Sequence, residues 1–439
     1  MKDGKKIGKN IGWLMFDSFF ILFLQFVVGI KVANFYGATL YGKYNYAASL
    51  IAFSAIFFEL INGRVIKKFY TDESFDRVVY NVNLFRNTLA IVLFFVPIAI
   101  QIFVPMDSLL FYMLVLMAFD NILVTSTSGI ENFFEFKLES KRIVISNNIV
   151  KILSYSLQYL CIYLHIGIIM IPAIRCIGNF IRMCLLKYQY RKDYLSKVSE
   201  TQKKKERFDK SLIFKMIDES KFLWITFISF LVYTQIDKLM IEQYLGVAQV
   251  GVYTIGVQLS IILSILIGPV QNSIFPKMLE LHREDMAKYR KFYLFINSGV
   301  TQFYLFATLL SIAVVKILFK YVYAPEYNGA IMVYSILAFS ILVKANASLQ
   351  TGHMTIRNIT KKSFYKSFLG LLINIVLNMV LIQKYGVNGA AIATLLTQII
   401  ALFVIDFFIP EYREHAMIQL KSYNTLLFGK MLYNRLRKK

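Results

Sequence analysis

The chain has 439 residues, 57% of them hydrophobic and only 17% charged, with a formal net charge of +23. So much apolar surface excludes a soluble globular protein, which has nowhere to bury it. The positive charge lies in short runs between apolar stretches and not in a basic domain, so nucleic acid is excluded as a partner and the charge is assigned to membrane orientation.

The apolar stretches fall at roughly 11–33, 46–66, 80–104, 109–129, 144–165, 168–187, 219–244, 249–275, 291–318, 328–350, 364–383 and 388–409. Each is about 20 residues or longer, enough for a hydrocarbon core of about 30 Å at about 1.5 Å per residue. Backbone groups in lipid must be bonded within their own segment, so the spans are helices and the fold class is an all-α polytopic membrane protein. The first run is too long for the apolar part of a signal peptide, and Val32 to Phe35 make a poor cleavage site, so no cleaved leader is expected.

The connections alternate in charge. One set holds Lys2 to Lys9, then Arg64, Lys67, Lys68 and Arg77, then Lys137, Lys141 and Arg142, then the stretch from Lys187 to Lys215. The same set continues with Lys277, Arg283, Lys288, Arg290 and Lys291, then Arg357, Lys361, Lys362 and Lys366, and closes with the basic tail. The other set holds little beyond Lys43, Lys320 and Lys384. By the positive-inside rule the first set is cytoplasmic, both termini included.

The turn of the first hairpin has an echo. Tyr36-Gly37, Gly42 and Tyr44 recur as Leu245-Gly246, Gly251 and Tyr253, each 209 residues further on. The repeat divides the chain into an N-terminal six-helix bundle (1–187), a basic cytoplasmic linker (188–218), a C-terminal six-helix bundle (219–409) and a basic cytoplasmic tail (410–439). Repeats of this kind are common in transporters, whose substrate path runs between the halves. The centre of the linker, Lys203-Lys204-Lys205-Glu206-Arg207, is either solvated or touches anionic head groups. Pro97, Pro172 and Pro269 lie within spans and are expected to bend or break them. Cys161, Cys176 and Cys184 read as small packing residues. The four histidines do not cluster in the sequence, so no metal site is expected, and no Walker A motif or other cofactor signature is present.

Several pieces, in order, resemble the bacterial polysaccharide flippases (the Wzx type of the MOP transporter superfamily). They are Asn10-Ile11-Gly12-Trp13-Leu14, Asn34-Phe35-Tyr36-Gly37-Ala38-Thr39-Leu40-Tyr41-Gly42, Gln235-Ile236-Asp237-Lys238-Leu239-Met240-Ile241, Pro276-Lys277-Met278 and Gly386-Val387-Asn388-Gly389-Ala390-Ala391. The resemblance implies two pseudo-symmetric six-helix bundles of the MATE/MOP kind. It implies a flippase that carries undecaprenyl-diphosphate-linked oligosaccharide from the cytoplasmic to the outer leaflet of the bacterial inner membrane. The cargo would serve O-antigen, lipopolysaccharide or another surface glycan, with a polysaccharide polymerase and glycosyltransferases as partners. Asn34 stands where the family often has arginine, which puts a role for that arginine in doubt here. No further apolar spans follow residue 409, which sets the chain apart from the lipid II flippase branch.

A diphosphate needs cations, and a charge at a helix centre costs about 2.5–3.5 kcal/mol on the insertion scale, so charges within spans should face a cavity or a partner. Arg175 lies mid-span and is the leading candidate for the diphosphate, because a planar guanidinium can bond two phosphate oxygens. Lys151 and Lys344 are further candidates, or else they snorkel to the interface. Arg182 is better placed to snorkel than to bind, and Arg86 reads as interfacial. The acids are Asp17, Glu59, Asp120, Asp237 and Asp406. Glu59 and Asp120 either carry protons or pair with Lys151 or Arg175. Asp237 and Lys238 are adjacent and so should have different partners. Asp17 is read as coupling or pairing nearer the cytoplasmic side. Tyr155, Tyr159 and Tyr233 are candidates for stacking on sugars.

Two other readings compete. An ion-coupled multidrug or metabolite antiporter of the same superfamily would favour carboxylates and apolar walls. A glycan polymerase or ligase would need a catalytic constellation on a sizeable outer loop, and the outer connections here are short and hold none. No enzymatic activity is therefore expected.

Overall fold

The computed structural model describes residues 2–194, 208–357 and 363–437, with side chains except at 2–12, 14–19, 272 and 363–365. Every regular element among the described residues is a helix. The chain divides into two compact units, Met1–Leu231 and Val232–Lys439.

The first unit contains α1 (Lys2–Ala52), α2 (Ala55–Phe58), α3 (Gly63–Asp72), α4 (Phe75–Phe103), α5 (Ser108–Thr125), α6 (Ser128–Phe136), α7 (Ser140–Tyr163) and α8 (Met170–Asp193). It ends within α9 (Lys210–Leu245). The second unit takes the rest of α9, then α10 (Val247–Ser264), α11 (Ile267–Glu284), α12 (Met286–Tyr321), α13 (Gly329–Ile356), α14 (Ser363–Tyr385) and α15 (Val387–Ile399). It closes with α16 (Pro410–Ser422) and α17 (Thr425–Leu436). The tail after residue 409 is thus helical, and α16 packs against α12.

Nine stretches among the described residues are long and apolar enough to cross a membrane. The first, Phe20–Asp72, takes in two of the expected spans. The fifth and sixth expected spans are α7 and α8, which are long enough but carry several charges, among them Lys151, Arg175 and Arg182. The expected spans are therefore helical, but several are interrupted. The second breaks between α1, α2 and α3, where the Ser54 hydroxyl donates to the Ile51 carbonyl at 2.6 Å. The fourth breaks between α5 and α6, where Thr125, Ser126 and Ser128 each donate to a carbonyl three or four residues back. Hydroxyls of this kind satisfy backbone groups that a broken helix frees inside lipid. The eighth breaks at Ile265 and Leu266, just before Pro269, as its missing N–H requires. Pro172, by contrast, lies in the first turn of α8, where no N–H is needed, and Pro97 lies inside an uninterrupted α4.

The 209-residue echo is a shared backbone conformation. Gly37 interrupts α1 at φ 75°, ψ 167°, and Gly246 separates α9 from α10 at φ 83°, ψ 169°. Only glycine enters that region without strain. A second glycine is fixed by space: a Cβ on Gly389 would stand 1.9 Å from the Leu381 carbonyl oxygen, where α15 turns back on α14.

In the first unit α3, α4, α6, α8 and α9 meet over Ile66, Phe69, Val78, Phe133, Leu186 and Met216. In the second, α11, α12 and α13 bury Met278, Tyr289, Tyr293 and Leu349.

Candidate functional site

α5 and α8 pack side by side and bring Asp120 to Arg175. Asp120 is fully buried, and one carboxylate oxygen lies 2.7 Å from Arg175 Nε. The other accepts from Asn179 Nδ2 at 2.6 Å. Asn179 is one helical turn beyond Arg175, so both face α5. The guanidinium is held by its Nε edge. Its two terminal amino groups make no hydrogen bond or ion pair among the described residues, and 46% of the side chain is exposed.

Arg182, seven residues on, is tied down. Its Nη2 lies 2.8 Å from Glu131, and its Nε donates to Asn147 Oδ1 at 2.6 Å. Lys151 is partly buried on α7, one turn beyond Asn147. Glu59 finds neither Lys151 nor Arg175. It lies 3.5 Å from Arg86 and accepts from Asn62 Nδ2 at 2.8 Å. Arg86 is buried within the protein: it is 6% exposed and donates to the Ile61 carbonyl at 2.6 Å, a group freed where the second span breaks. Asp17 lies in α1, and its side chain is outside the described residues, as is the linker centre 203–207.

In the second unit four helices converge on Asp237. Its carboxylate accepts from Tyr253 Oη at 2.6 Å, Asn378 Nδ2 at 2.6 Å and Thr394 Oγ1 at 2.9 Å. All three donors are neutral, and Asp237 makes no ion pair among the described residues. At contact distance these hydrogen bonds compensate the buried carboxylate, while the ammonium groups of Lys238 and Lys344 act on it from further off. Lys344, on α13, reaches the same region through an amide. With Gln398 turned to satisfy both its ends, its oxygen accepts from Lys344 Nζ at 3.2 Å and Tyr233 Oη at 2.8 Å, and its nitrogen donates to Ser340 O at 2.8 Å. Tyr159 is exposed on α7.

Three polar clusters were not evident from sequence. Lys366, expected in a cytoplasmic connection, is buried in an ion pair with the fully buried Asp406. Gln350 bonds both, donating to Asp406 at 2.5 Å and accepting from Lys366 at 3.1 Å. Three of the four histidines do cluster. His282, His353 and His415 gather around Tyr289 and Tyr293, with Tyr289 Oη 2.5 Å from His353 Nδ1 and Tyr293 Oη 2.6 Å from His415 Nδ1. Tyr293 and His353 stack at 4.7 Å. Burial, with His353 and Lys366 nearby, holds His415 well below the ordinary histidine range. Further along α16, the Ser422 hydroxyl meets Thr301 Oγ1 at 2.8 Å and accepts from Asn346 Nδ2 at 3.1 Å. No group of three or more metal-ligating side chains is found among the described residues.

Interrupted helices with charges anchored inside their spans define a polytopic membrane protein of a transporter fold. Similar folds occur in the lipid II flippase MurJ in an inward closed conformation (TM-score 0.67, 16% identity, 92% of this chain and 89% of that one) and in an inward-facing multidrug resistance MATE transporter of the MOP superfamily (0.64, 11%, 91% and 96%). The MATE multidrug transporter DinF-BH is similar too (0.64, 14%, 94% and 96%). An uncharacterized membrane protein of Methanocaldococcus jannaschii is 35% identical over 80 residues, 18% of this chain and 19% of that relative's length. The chain belongs to the polysaccharide biosynthesis protein family, whose model matches residues 7–282.

Proposed function

We propose that this protein is a flippase. It moves undecaprenyl-diphosphate-linked oligosaccharide from the cytoplasmic to the outer leaflet of the bacterial inner membrane by alternating access, for surface polysaccharide assembly. The family membership supports this reading, and Arg175 is the observation that carries it. A mid-span arginine held at Nε by a buried carboxylate, with its terminal amino groups open, is built to present two parallel donors to an anion. Such an exposed charge is tolerated within a span only beside water or a charged cargo. Lys151 is a second candidate cation in the same unit and Lys344 a candidate in the other, and Arg182 is a lesser contributor because Glu131 and Asn147 occupy it. Asp237 is the coupling carboxylate, since it is held by three neutral donors with no ion pair among the described residues, which leaves its charge open to a proton or a cation. Glu59, paired with Arg86, stabilises the broken second span, and Asp17 is a further coupling candidate. Both termini are cytoplasmic, and polymerases and glycosyltransferases act before or after this step.

The MATE structures fit an ion-coupled antiporter equally well as a fold, and the caged Asp237 suits that reading also. The test is deletion and complementation in the host, following surface glycan and lipid-linked intermediate. Loss of surface glycan with lipid-linked repeat units left on the cytoplasmic side is the expected result. Unchanged glycan with reduced drug or metabolite efflux would establish the antiporter instead.

A further inference from the structure

Near the start of α4 and the end of α8, the first unit holds a cleft of about 400 Å³. Asn83 and Asn87 of α4 line one wall, and Lys187 and Arg191 of α8 line the other. The amides are oriented. Asn83 Oδ1 accepts from the Gly129 N–H at 2.7 Å, and Asn87 Oδ1 accepts from Thr125 Oγ1 at 3.2 Å. Each therefore keeps its Nδ2 donors for whatever enters the cleft. Lys187 and Arg191 are one turn apart on the same helix face, and neither forms an ion pair among the described residues. Asp76, the one acid bordering the cleft, is engaged by the Tyr190 hydroxyl at 2.5 Å.

The rim has the opposite character. Tyr80 and Leu84 border the cleft and are exposed, and further along α4 so are Ile91, Val92 and Phe95. A ligand that suits both parts has an anionic head and a long apolar tail. We propose that this cleft binds the phosphate head group of an anionic membrane lipid, with its acyl chains along the apolar face of α4. Two cations and two oriented amides match phosphate oxygens, and basic pockets between transmembrane helices are a known way to hold such head groups. The site stands apart from Arg175 and does not depend on the transport reading.

The experiment measures lipid retained by the purified full chain in native mass spectrometry. Phosphatidylglycerol and phosphatidylcholine are offered separately, with and without inorganic phosphate. Phosphatidylglycerol is expected to be retained in preference to phosphatidylcholine and to resist inorganic phosphate. Lys187→Gln with Arg191→Gln should weaken it about thirtyfold, taking about 1 kcal/mol per cation near the membrane surface. Arg191→Gln alone, at an exposed position, should weaken it about fivefold without risk to folding. Arg191→Lys, which keeps the charge, should retain most of the binding. Equal retention of phosphatidylcholine would overturn the proposal, and so would wild-type retention by the Arg191→Gln variant. Binding of inorganic phosphate without phosphatidylglycerol would make this a soluble-anion site and overturn the lipid assignment.

Discussion

Asp120, wholly buried, holds Arg175 by Nε at 2.7 Å while nearly half of the arginine side chain stays exposed. The carboxylate thus orients the guanidinium without occupying its outer edge. Arg175→Ala is expected to abolish rescue of surface glycan by a normally expressed protein. Arg175→Lys should fall short by about tenfold or more in flipping rate, since an ammonium cannot supply two parallel donors. Asp120→Asn should lower flipping at normal expression by releasing the arginine. A fully active Arg175→Ala would remove the cation–diphosphate contact from the mechanism.

Asp237 predicts a different phenotype. Asp237→Asn keeps the size of the side chain but places an amide among donors, at a cost of about 1–3 kcal/mol for the mismatched group. Folded protein should still be recovered. Transport into vesicles should lose its dependence on an imposed proton or sodium gradient. Unaltered gradient dependence would assign coupling to another group.

Lys366 and Asp406 should behave as a buried pair. Lys366→Met alone is expected to destabilise by about 3–5 kcal/mol, because it strands a buried carboxylate beside Gln350. Lys366→Met combined with Asp406→Leu should regain most of that loss. Unfolding in detergent measures both, and equal loss in the single and double variants would contradict a pairwise role.

His415 makes stability depend on pH. Burial is the main reason its folded-state affinity for a proton is low, so its folded pKa lies well below the ordinary value of 6.5. Between those two values the unfolded chain binds a proton that the folded chain does not, so stability rises with pH. The contribution is fully present above about 6.5 and is lost as pH falls, by up to about 1.4 kcal/mol per unit. The unfolding temperature in detergent should drop from pH 7.5 to pH 5, and His415→Gln should flatten that slope.

The spans were legible because lysine and arginine punctuate them, and even the charge-bearing α7 and α8 stood out by that pattern. Gly37 and Gly246 were legible as a pair because an identical corner demands an identical residue type. What sequence concealed was contact between distant positions. Nothing near Lys366 in the chain distinguishes it from Lys361 and Lys362, since its partner Asp406 lies on another element. His353 and His415 meet only because α16 folds back onto α12. The bond from Arg86 to the Ile61 carbonyl was hidden for the same reason, since the two lie 25 residues apart and meet only in the fold.

The hydroxyl of Ser422 bears on biogenesis. Asn346 and Thr301 sit in helices made well before α16, and Asn346 Nδ2 donates to Thr301 Oγ1 at 2.6 Å; Ser422 joins that pair only when α16 arrives. Docking of α16 thus completes a three-residue hydrogen-bond network, and a chain halted before it would be inserted without that tie between tail and spans.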